Sequence, residues 1–108
     1  METKQDIQCV PCNTIGQALT GDRLHELRRG LSDGWLVVDE HHLEKAYRFR
    51  NFAQALAFTN SVGTLAEQIG HHPTIQLSWG AVRISVWTHK INGLSESDFA
   101  LAAHIDQL

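Results

Sequence analysis

The sequence predicts an α+β fold, with a four-stranded antiparallel sheet and three helices packed on one face of it. Two observations support this prediction. Apolar residues recur at three- and four-residue steps in three separate segments, which is typical of amphipathic helices. Between those segments lie two pairs of short strand-like runs, each pair joined by a turn, which is typical of antiparallel hairpins. The order helix, hairpin, helix, hairpin, helix predicts one sheet with the helices on a single face.

Length, charge and composition narrow the class of protein. The 108 residues, 43% of them hydrophobic, predict one globular domain over residues 20–108, preceded by an N-terminal arm over residues 1–19. A net charge of −3 without a basic stripe argues against direct binding of nucleic acid. No apolar run approaches the ~20 residues of a membrane span. The first residues lack the apolar core of a signal peptide, so a cytoplasmic location is expected.

The arm contains a Cys-x-x-Cys pair formed by Cys9 and Cys12. A redox pair of this kind lies between a strand and a helix, and a structural zinc site needs a second pair of ligands. Because the sequence offers neither context, we interpret the two residues as reduced cysteines without a catalytic role.

The first helix and the first hairpin follow the arm. Thr20 is a candidate N-cap, because apolar residues follow it at helical spacing at Leu24, Leu27 and Leu31. Residues 35–39 and 43–50 are strand-like runs separated by a turn, and they predict an antiparallel hairpin. His41 and His42 lie at its tip, where a histidine is usually solvated, so no function is assigned to them.

A long helix is predicted over residues 52–69. Asn51 followed by Gln54 resembles a capping box, and an apolar stripe continues at Ala55, Phe58, Val62, Leu65, Ala66 and Ile69. Gly70 lies where a left-handed C-terminal cap belongs, and Pro73 prevents the helix from continuing.

The second hairpin shows the clearest alternation in the chain. One face of the sheet must carry the apolar residues of both strands, and placing Trp79 opposite Val82 satisfies this condition. That register puts His89 opposite His72. A register shifted by two residues keeps the same faces and puts His89 opposite Gly70. In either register His89 comes to lie beside the two histidines that precede the hairpin.

The last helix begins with a strong N-terminal signal. Ser95 is the predicted N-cap, Asp98 is the reciprocal acid of a capping box, and Leu94 with Phe99 forms a hydrophobic staple. The core stripe continues at Leu101, Ala102, Ile105 and Leu108. The capping role accounts for Asp98 without any part in catalysis.

The histidine cluster suits general acid–base chemistry, because imidazoles titrate near neutral pH and no nucleophile elbow is present. Adjacent residues such as His71 and His72 point in different directions, so they rarely bind one metal ion together. His42 and Glu44 have the spacing of two ligands in an iron facial triad, but so short a match arises easily by chance. Glu67 lies one turn before His71, where it either orients an imidazole or stands solvated.

The same residues resemble those of a known family, the pterin-4a-carbinolamine dehydratases. The resemblance covers roughly residues 20–108, and its spaced positions are Glu67, His71, His72, Pro73, Trp79, His89 and Asp98. Supporting matches lie at Gly34-Trp35, in residues 49–58, and from Gly93 to Asp98. The arm with its cysteine pair departs from the family pattern.

The resemblance implies elimination of water from 4a-hydroxytetrahydrobiopterin to give quinonoid dihydropterin. This reaction recycles the pterin of aromatic amino acid hydroxylases, so a functional link to phenylalanine hydroxylase is implied as well. By the same resemblance, His71 and His89 are the acid–base groups on opposite faces of the pterin, and His72 chiefly holds the substrate within the catalytic site. Further substrate-binding positions are implied at Glu67, Pro73 and Asp98.

The resemblance implies neither a metal nor a bound cofactor, because the pterin is the substrate. It implies a homodimer or homotetramer, which also suits the modest core of a small one-sided sheet. A mammalian member additionally serves as a dimerisation partner for a homeodomain transcription factor. A non-catalytic pterin-binding or coactivator-like module on the same scaffold is therefore the alternative, but such a module is expected to lack one of the three histidines. A metal-dependent oxygenase is a third alternative, and chelators would abolish its activity.

Overall fold

The computed structural model describes residues 17–108, and within this range it confirms the α+β prediction. The helices are α1 (Gly21–Arg28), α2 (Phe52–Ile69) and α3 (Glu96–Ile105). The strands are β1 (Leu36–Val38), β2 (His42–Arg48), β3 (Thr74–Ser78) and β4 (Ala81–Val86). A 3-10 turn, His89–Ile91, lies between β4 and α3. None of the helices in the described range is long and apolar enough to cross a membrane.

Most of the predicted arm, with Cys9 and Cys12, lies outside the described residues. The interpretation of the two cysteines and the boundary between arm and domain therefore stay predictions.

The strands pair antiparallel in the order β1-β2-β4-β3, and the core lies on one face of this sheet. α2 contacts β3, β4 and α3, while α1 contacts β1 and α3. Removing apolar side chains from water stabilises this layered packing by about 25 cal/mol for each Å² buried. The largest fully buried apolar side chains are Trp35, Leu43, Ile69, Ile84, Leu94, Leu101 and Ile105.

The first hairpin turns through two residues with left-handed backbones. The backbone N–H of His41 donates to the carbonyl oxygen of Val38 at 2.8 Å, and Asp39 and Glu40 between them have φ angles of 54° and 53°. Positive φ at both central positions is the mark of a type I′ turn, whose twist matches that of the paired strands. His41 closes this turn, and β2 begins one residue later at His42, which pairs with Val38.

The helix ends largely follow the sequence signals. Thr20 precedes α1 but makes no side-chain capping bond, so only its position was predicted correctly. The Oδ1 atom of Asn51 accepts from the backbone N–H of Gln54 at 2.9 Å, as predicted. The Oε1 atom of Gln54 accepts from the N–H of Arg50 at 3.1 Å, one residue earlier than a standard capping box. Gly70 ends α2 with a φ of 84°.

The second hairpin adopts the shifted register. Leu77 pairs with Val82, so the expected pairing of Trp79 with Val82 is wrong by two residues. The physical reason is that the chain turns at Trp79 and Gly80, which leaves Trp79 68% exposed. Gly80 approaches Phe49 closely. Its carbonyl oxygen accepts from the Phe49 N–H at 2.8 Å, and a Cβ on Gly80 would lie 3.0 Å from the Phe49 carbonyl oxygen.

β4 ends earlier than expected, and this changes the setting of the third histidine. Thr88 forms an isolated bridge to Gly93, and His89 begins the 3-10 turn instead of extending the strand. Asn92 follows that turn with a φ of 50°. The expectation that His89 belongs to the strand is therefore wrong, because the chain turns toward α3 immediately after Thr88.

Asp106 fastens the end of α3 to the segment before β1. Its carboxylate accepts from the indole N–H of Trp35 at 2.9 Å, and from the backbone N–H and hydroxyl of Ser32 at 3.0 Å and 2.8 Å. Burial by itself favours the neutral carboxyl, but these hydrogen bonds and the Lys45 ammonium hold the pKa of Asp106 below its ordinary value. This anchor fixes one end of the helix whose other end supports the histidine cluster.

Candidate active site

A surface cleft brings the three predicted histidines together. Its lining is Gly70, His71, His72, Trp87, Thr88, His89 and Lys90. The cleft has a volume of about 340 Å³, and small-molecule sites commonly measure about 300–1,000 Å³. Convergence of the histidines, inferred from strand alternation, is thus present in the structure even though the favoured register was wrong.

His71 is the most firmly held of the three imidazoles. The left-handed cap at Gly70 ends α2 and delivers His71 to the cleft. Its Nε2 atom lies 2.5 Å from the Oδ1 atom of Asp98, and the side chains are 15% and 0% exposed. A carboxylate at this distance accepts from Nε2–H, so it selects that tautomer and leaves Nδ1 for a substrate.

Asp98 performs its capping role and holds His71 at the same time. Its Oδ2 atom accepts from the backbone N–H of Ser95 at 2.9 Å, which completes the predicted capping box, and from the hydroxyl of Thr88 at 2.8 Å. Its Oδ1 atom is the one that faces His71. Because Asp98 is fully buried, it reaches the cleft through His71 and not directly. Sequence reasoning missed this contact, since the capping signature already explained the acid.

Glu67 orients an imidazole, but that imidazole belongs to His72. The Oε2 atom of Glu67 lies 2.7 Å from Nε2 of His72, and the side chains are 79% and 58% exposed. Of the two alternatives left open for Glu67, an orienting role and a solvated side chain, the structure shows the orienting contact, and Asp98 occupies Nε2 of His71 instead. A side-chain contact as exposed as this one adds little to stability, so it chiefly sets the direction of the His72 ring.

His89 is held differently from the other two histidines. Within residues 17–108 no hydrogen bond reaches its imidazole, and the ring stacks on the indole of Trp87. The ring centroids are 4.6 Å apart and the planes differ by 25°. His89 is exposed, so both ring nitrogens are open to solvent or to a substrate.

His41 and His42 prove to be neighbours of this cleft and not merely solvated tip residues. Their ring centroids lie 5.1 Å and 5.8 Å from that of Trp87. The register of β2 on β4 explains the proximity, because Leu43 pairs with Val86, and His42 and Trp87 are the next residues outward along the two chains. Alternation within each strand does not reveal which strands pair, so the sequence signal for this contact was absent.

The remaining predicted positions lie apart from the cleft lining. Pro73 follows the histidine pair and is half-buried at the start of β3, while Trp79 occupies the distant hairpin turn. His42 and Glu44, considered above as ligands of an iron triad, lie 3.3 Å apart at Nε2 and Oε1. Among residues 17–108 no three or more His, Cys, Asp or Glu side chains are grouped so that they could hold a metal ion.

Known proteins with similar sequences carry the same family name. Residues 17–108 match the family described as pterin 4 alpha carbinolamine dehydratase. A Rubrobacter xylanophilus protein, provisionally named pterin-4-alpha-carbinolamine dehydratase, is 54% identical over 101 residues, which cover 94% of each chain. A protein of Alkaliphilus metalliredigens with the same provisional name is 45% identical over 99% of this chain and 96% of its own.

Solved structures with a similar fold are also named pterin dehydratase or pterin dehydratase-like. The transcriptional coactivator/pterin dehydratase of Brucella melitensis superposes with a TM-score of 0.77 at 29% identity, over 84% of this chain and 97% of its own. A pterin dehydratase-like protein identified as a RuBisCO assembly factor in the alpha-carboxysome gives a TM-score of 0.52 at 30% identity, over 61% of this chain and 76% of its own. From the family match over residues 17–108 and the shared fold, we conclude that the chain belongs to the pterin-4-alpha-carbinolamine dehydratase family.

Proposed function

We propose that this protein eliminates water from 4a-hydroxytetrahydrobiopterin to give quinonoid dihydropterin, by general acid–base catalysis without a metal. One observation carries the proposal: three imidazoles with three different supports line a single cleft. His71 is backed by a buried carboxylate, His72 by an exposed carboxylate, and His89 by an aromatic ring. Family membership supports the pterin as the substrate.

The reaction requires two proton transfers. An acid donates a proton to the C4a hydroxyl, which leaves as water when the C–O bond breaks. The lone pair of the neighbouring ring nitrogen forms the new double bond to C4a, and a base removes the proton from a ring N–H. The acid loses one proton and the base gains one, so exchange with solvent restores the starting state. Each correctly placed group typically contributes ~10²–10⁴-fold in rate.

The supports of the imidazoles suit these steps. When Nδ1 of His71 takes or gives a proton, the Asp98 carboxylate at Nε2 stabilises the charged ring. His89, with both nitrogens open, serves the opposite face of the pterin. His72, directed by Glu67, chiefly holds the substrate at the rim of the cleft. The hydroxylase whose pterin is recycled is, in this proposal, an aromatic amino acid hydroxylase such as phenylalanine hydroxylase.

The non-catalytic module on the same scaffold is the less favoured function. Its expected mark is the loss of one of the three histidines, and here all three line the cleft. The coactivator and assembly roles are those of the Brucella and carboxysome proteins themselves.

Catalysis is tested with 4a-hydroxytetrahydrobiopterin generated by phenylalanine hydroxylase. We expect the purified protein to accelerate the absorbance change of dehydration, and to do so equally after extensive dialysis against EDTA, because imidazoles supply both proton transfers. Metal analysis of the same sample is the control. A rate equal to the spontaneous one contradicts the dehydratase, whereas activity that is lost on chelation and restored by one metal per chain contradicts the metal-free mechanism.

We also propose that the protein self-associates. Its open sheet edges, β1 and β3, and several exposed apolar side chains support this, namely Leu36, Phe52, Leu56, Trp79 and Leu108. Sedimentation velocity at micromolar concentration is expected to show a dimer or tetramer of the 12.1 kDa chain. A single 12.1 kDa species across that range contradicts self-association and leaves the catalytic proposal untouched.

A further inference from the structure

We propose that Trp87 is a positioning residue that holds the imidazole of His89 in its catalytic orientation, and that His41 and His42 brace Trp87 from the first hairpin. The catalytic consequence rests on the proposed dehydratase function. The structural part, a stacked pair with a brace behind it, can be tested without any substrate.

The stack is the one ring or polar contact that orients His89 within the described residues. The imidazole accepts and donates no hydrogen bond there, whereas His71 and His72 each have a carboxylate at Nε2. A centroid distance of 4.6 Å and a plane angle of 25° correspond to offset stacking. Stacking restricts the plane of the imidazole but engages neither nitrogen. Both nitrogens thus remain available for proton transfer.

Trp87 is itself fixed by other rings. His41 lies 5.1 Å from the indole centroid with the planes at 43°, and His42 lies 5.8 Å away at 54°. The Nδ1 atoms of these two histidines are 3.0 Å apart, within hydrogen-bond distance of each other. Nε2 of His42 lies 3.3 Å from Oε1 of Glu44. The indole is therefore packed between the first hairpin and His89.

A second tie connects the first hairpin to the turn that carries His89. Nε2 of His41 lies 3.0 Å from Oδ1 of Asn92, the residue that closes the 3-10 turn. Asn92 takes a left-handed backbone with φ 50°, and its N–H donates to the carbonyl oxygen of His89 at 3.1 Å. The hairpin thus braces both the indole on which His89 stacks and the backbone from which His89 projects.

Thr88, the residue between Trp87 and His89, connects the chain beside His89 to the carboxylate that holds His71. Thr88 is buried, and its hydroxyl donates to Oδ2 of Asp98 at 2.8 Å, while Oδ1 of Asp98 faces His71. Asp98 therefore fixes His71 directly and fixes the chain beside His89 through Thr88. With the backbone beside His89 fixed in this way, rotation of the His89 ring is the freedom that remains, and the stack on Trp87 restricts it. This restriction matters because a misplacement of about 1 Å can cost ~10²-fold in rate.

The kinetic test compares Trp87→Leu, which keeps a smaller apolar side chain but removes the stacking face, with Trp87→Phe, which keeps a flat ring. We expect kcat of Trp87→Leu to fall by ~10-fold or more with KM nearly unchanged, and Trp87→Phe to retain most of the rate. His25→Leu, which removes an exposed ring on α1 outside the cleft, is the control and is expected to behave like the wild type. An effect of Trp87→Leu on KM alone overturns the proposal in favour of direct contact with the pterin.

A double-mutant cycle separates positioning from general structural support. If Trp87 acts through His89, Trp87→Leu should add little to the loss caused by His89→Ala, because the ring to be positioned is gone. A merely structural tryptophan would lower the rate by the same factor in both backgrounds. Equal factors in the two backgrounds therefore overturn the proposal.

NMR spectroscopy tests the stack independently of activity. The ring current of a stacked indole should shift the carbon-bound imidazole protons of His89 upfield in the wild type, less so in Trp87→Phe, and not in Trp87→Leu. Normal chemical shifts in the wild-type protein overturn the proposal, even if Trp87→Leu fails to fold. Upfield shifts in a protein without dehydratase activity would instead uphold the stack and contradict the proposed function.

Discussion

The double variant His71→Ala/His89→Ala is expected to lose nearly all dehydratase activity while it keeps its fold. Each single variant is expected to lower kcat toward the lower end of the ~10²–10⁴-fold contribution of a general acid or base. The double change should be far more severe than either single change. The reason is that each imidazole partly covers for the other on a substrate that presents both configurations of the C4a hydroxyl.

The structure explains why these changes should spare the fold. The His71 side chain is 15% exposed and His89 is exposed, and neither belongs to the hydrophobic core. Removal of His71 does leave the buried Asp98 without one partner, so a modest loss of stability is expected for that variant. Thermal unfolding of each variant should accompany the kinetics.

Steady-state kinetics with two further variants completes this test. His72→Ala is expected to raise KM more than it lowers kcat, because His72 holds the substrate. His25→Ala is the matched control, since His25 is exposed on α1 and does not line the cleft. Wild-type rates for both His71→Ala and His89→Ala would show that the acid–base assignment is wrong.

Asp98→Asn is the second change with a large expected effect. It also separates the two roles of Asp98, the helix cap and the support of His71. The amide oxygen can still accept from the Ser95 N–H and the Thr88 hydroxyl, so the cap should persist. The amide NH₂ then faces Nε2 of His71, where it can only donate. The proton of the neutral ring moves to Nδ1, and the charge that stabilises the imidazolium is lost. We expect kcat to fall by ~10²-fold or more, since such an exchange next to a catalytic histidine gives the wrong tautomer.

Kinetics and unfolding of Asp98→Asn should be measured side by side. The matched control is Glu96→Gln, which changes the other acid in the first turn of α3. Glu96 pairs with Arg23 at 2.7 Å, and within residues 17–108 no hydrogen bond or ion pair joins it to a histidine. Near-normal turnover of Asp98→Asn would restrict Asp98 to the capping role. A large loss of stability with unchanged kcat in the folded fraction would lead to the same conclusion.

Several features of this protein were determined by local sequence alone. The bounds of α2, the left-handed cap at Gly70 and the capping box at Ser95 and Asp98 all followed from the residues within one or two helical turns. Such signals are local because helix hydrogen bonds and caps join residues only a few positions apart. The fold class followed equally, since the periods of the apolar residues differ between helices and strands.

The contacts of the candidate site were decided by tertiary structure. Alternation has a period of two, so a two-residue shift of β3 on β4 keeps every side chain on its face. In the observed register the chain turns at Trp79 and Gly80, and Gly80 lies close to Phe49 of the neighbouring segment, a contact that strand alternation does not record. The sequence could therefore bring His89 near the histidine pair but could not fix the register of the hairpin or the 3-10 turn in which His89 lies.

The supports of the imidazoles depend on the same long-range geometry. Asp98 stands 27 positions from His71, and the pairing that places His42 beside Trp87 joins strands from different hairpins. No local pattern records which side chains such pairings bring together, because that depends on how whole elements pack. By itself the sequence determined which residues could act as acid and base. The packing of α3 and the first hairpin against the cleft decided how each of them is held.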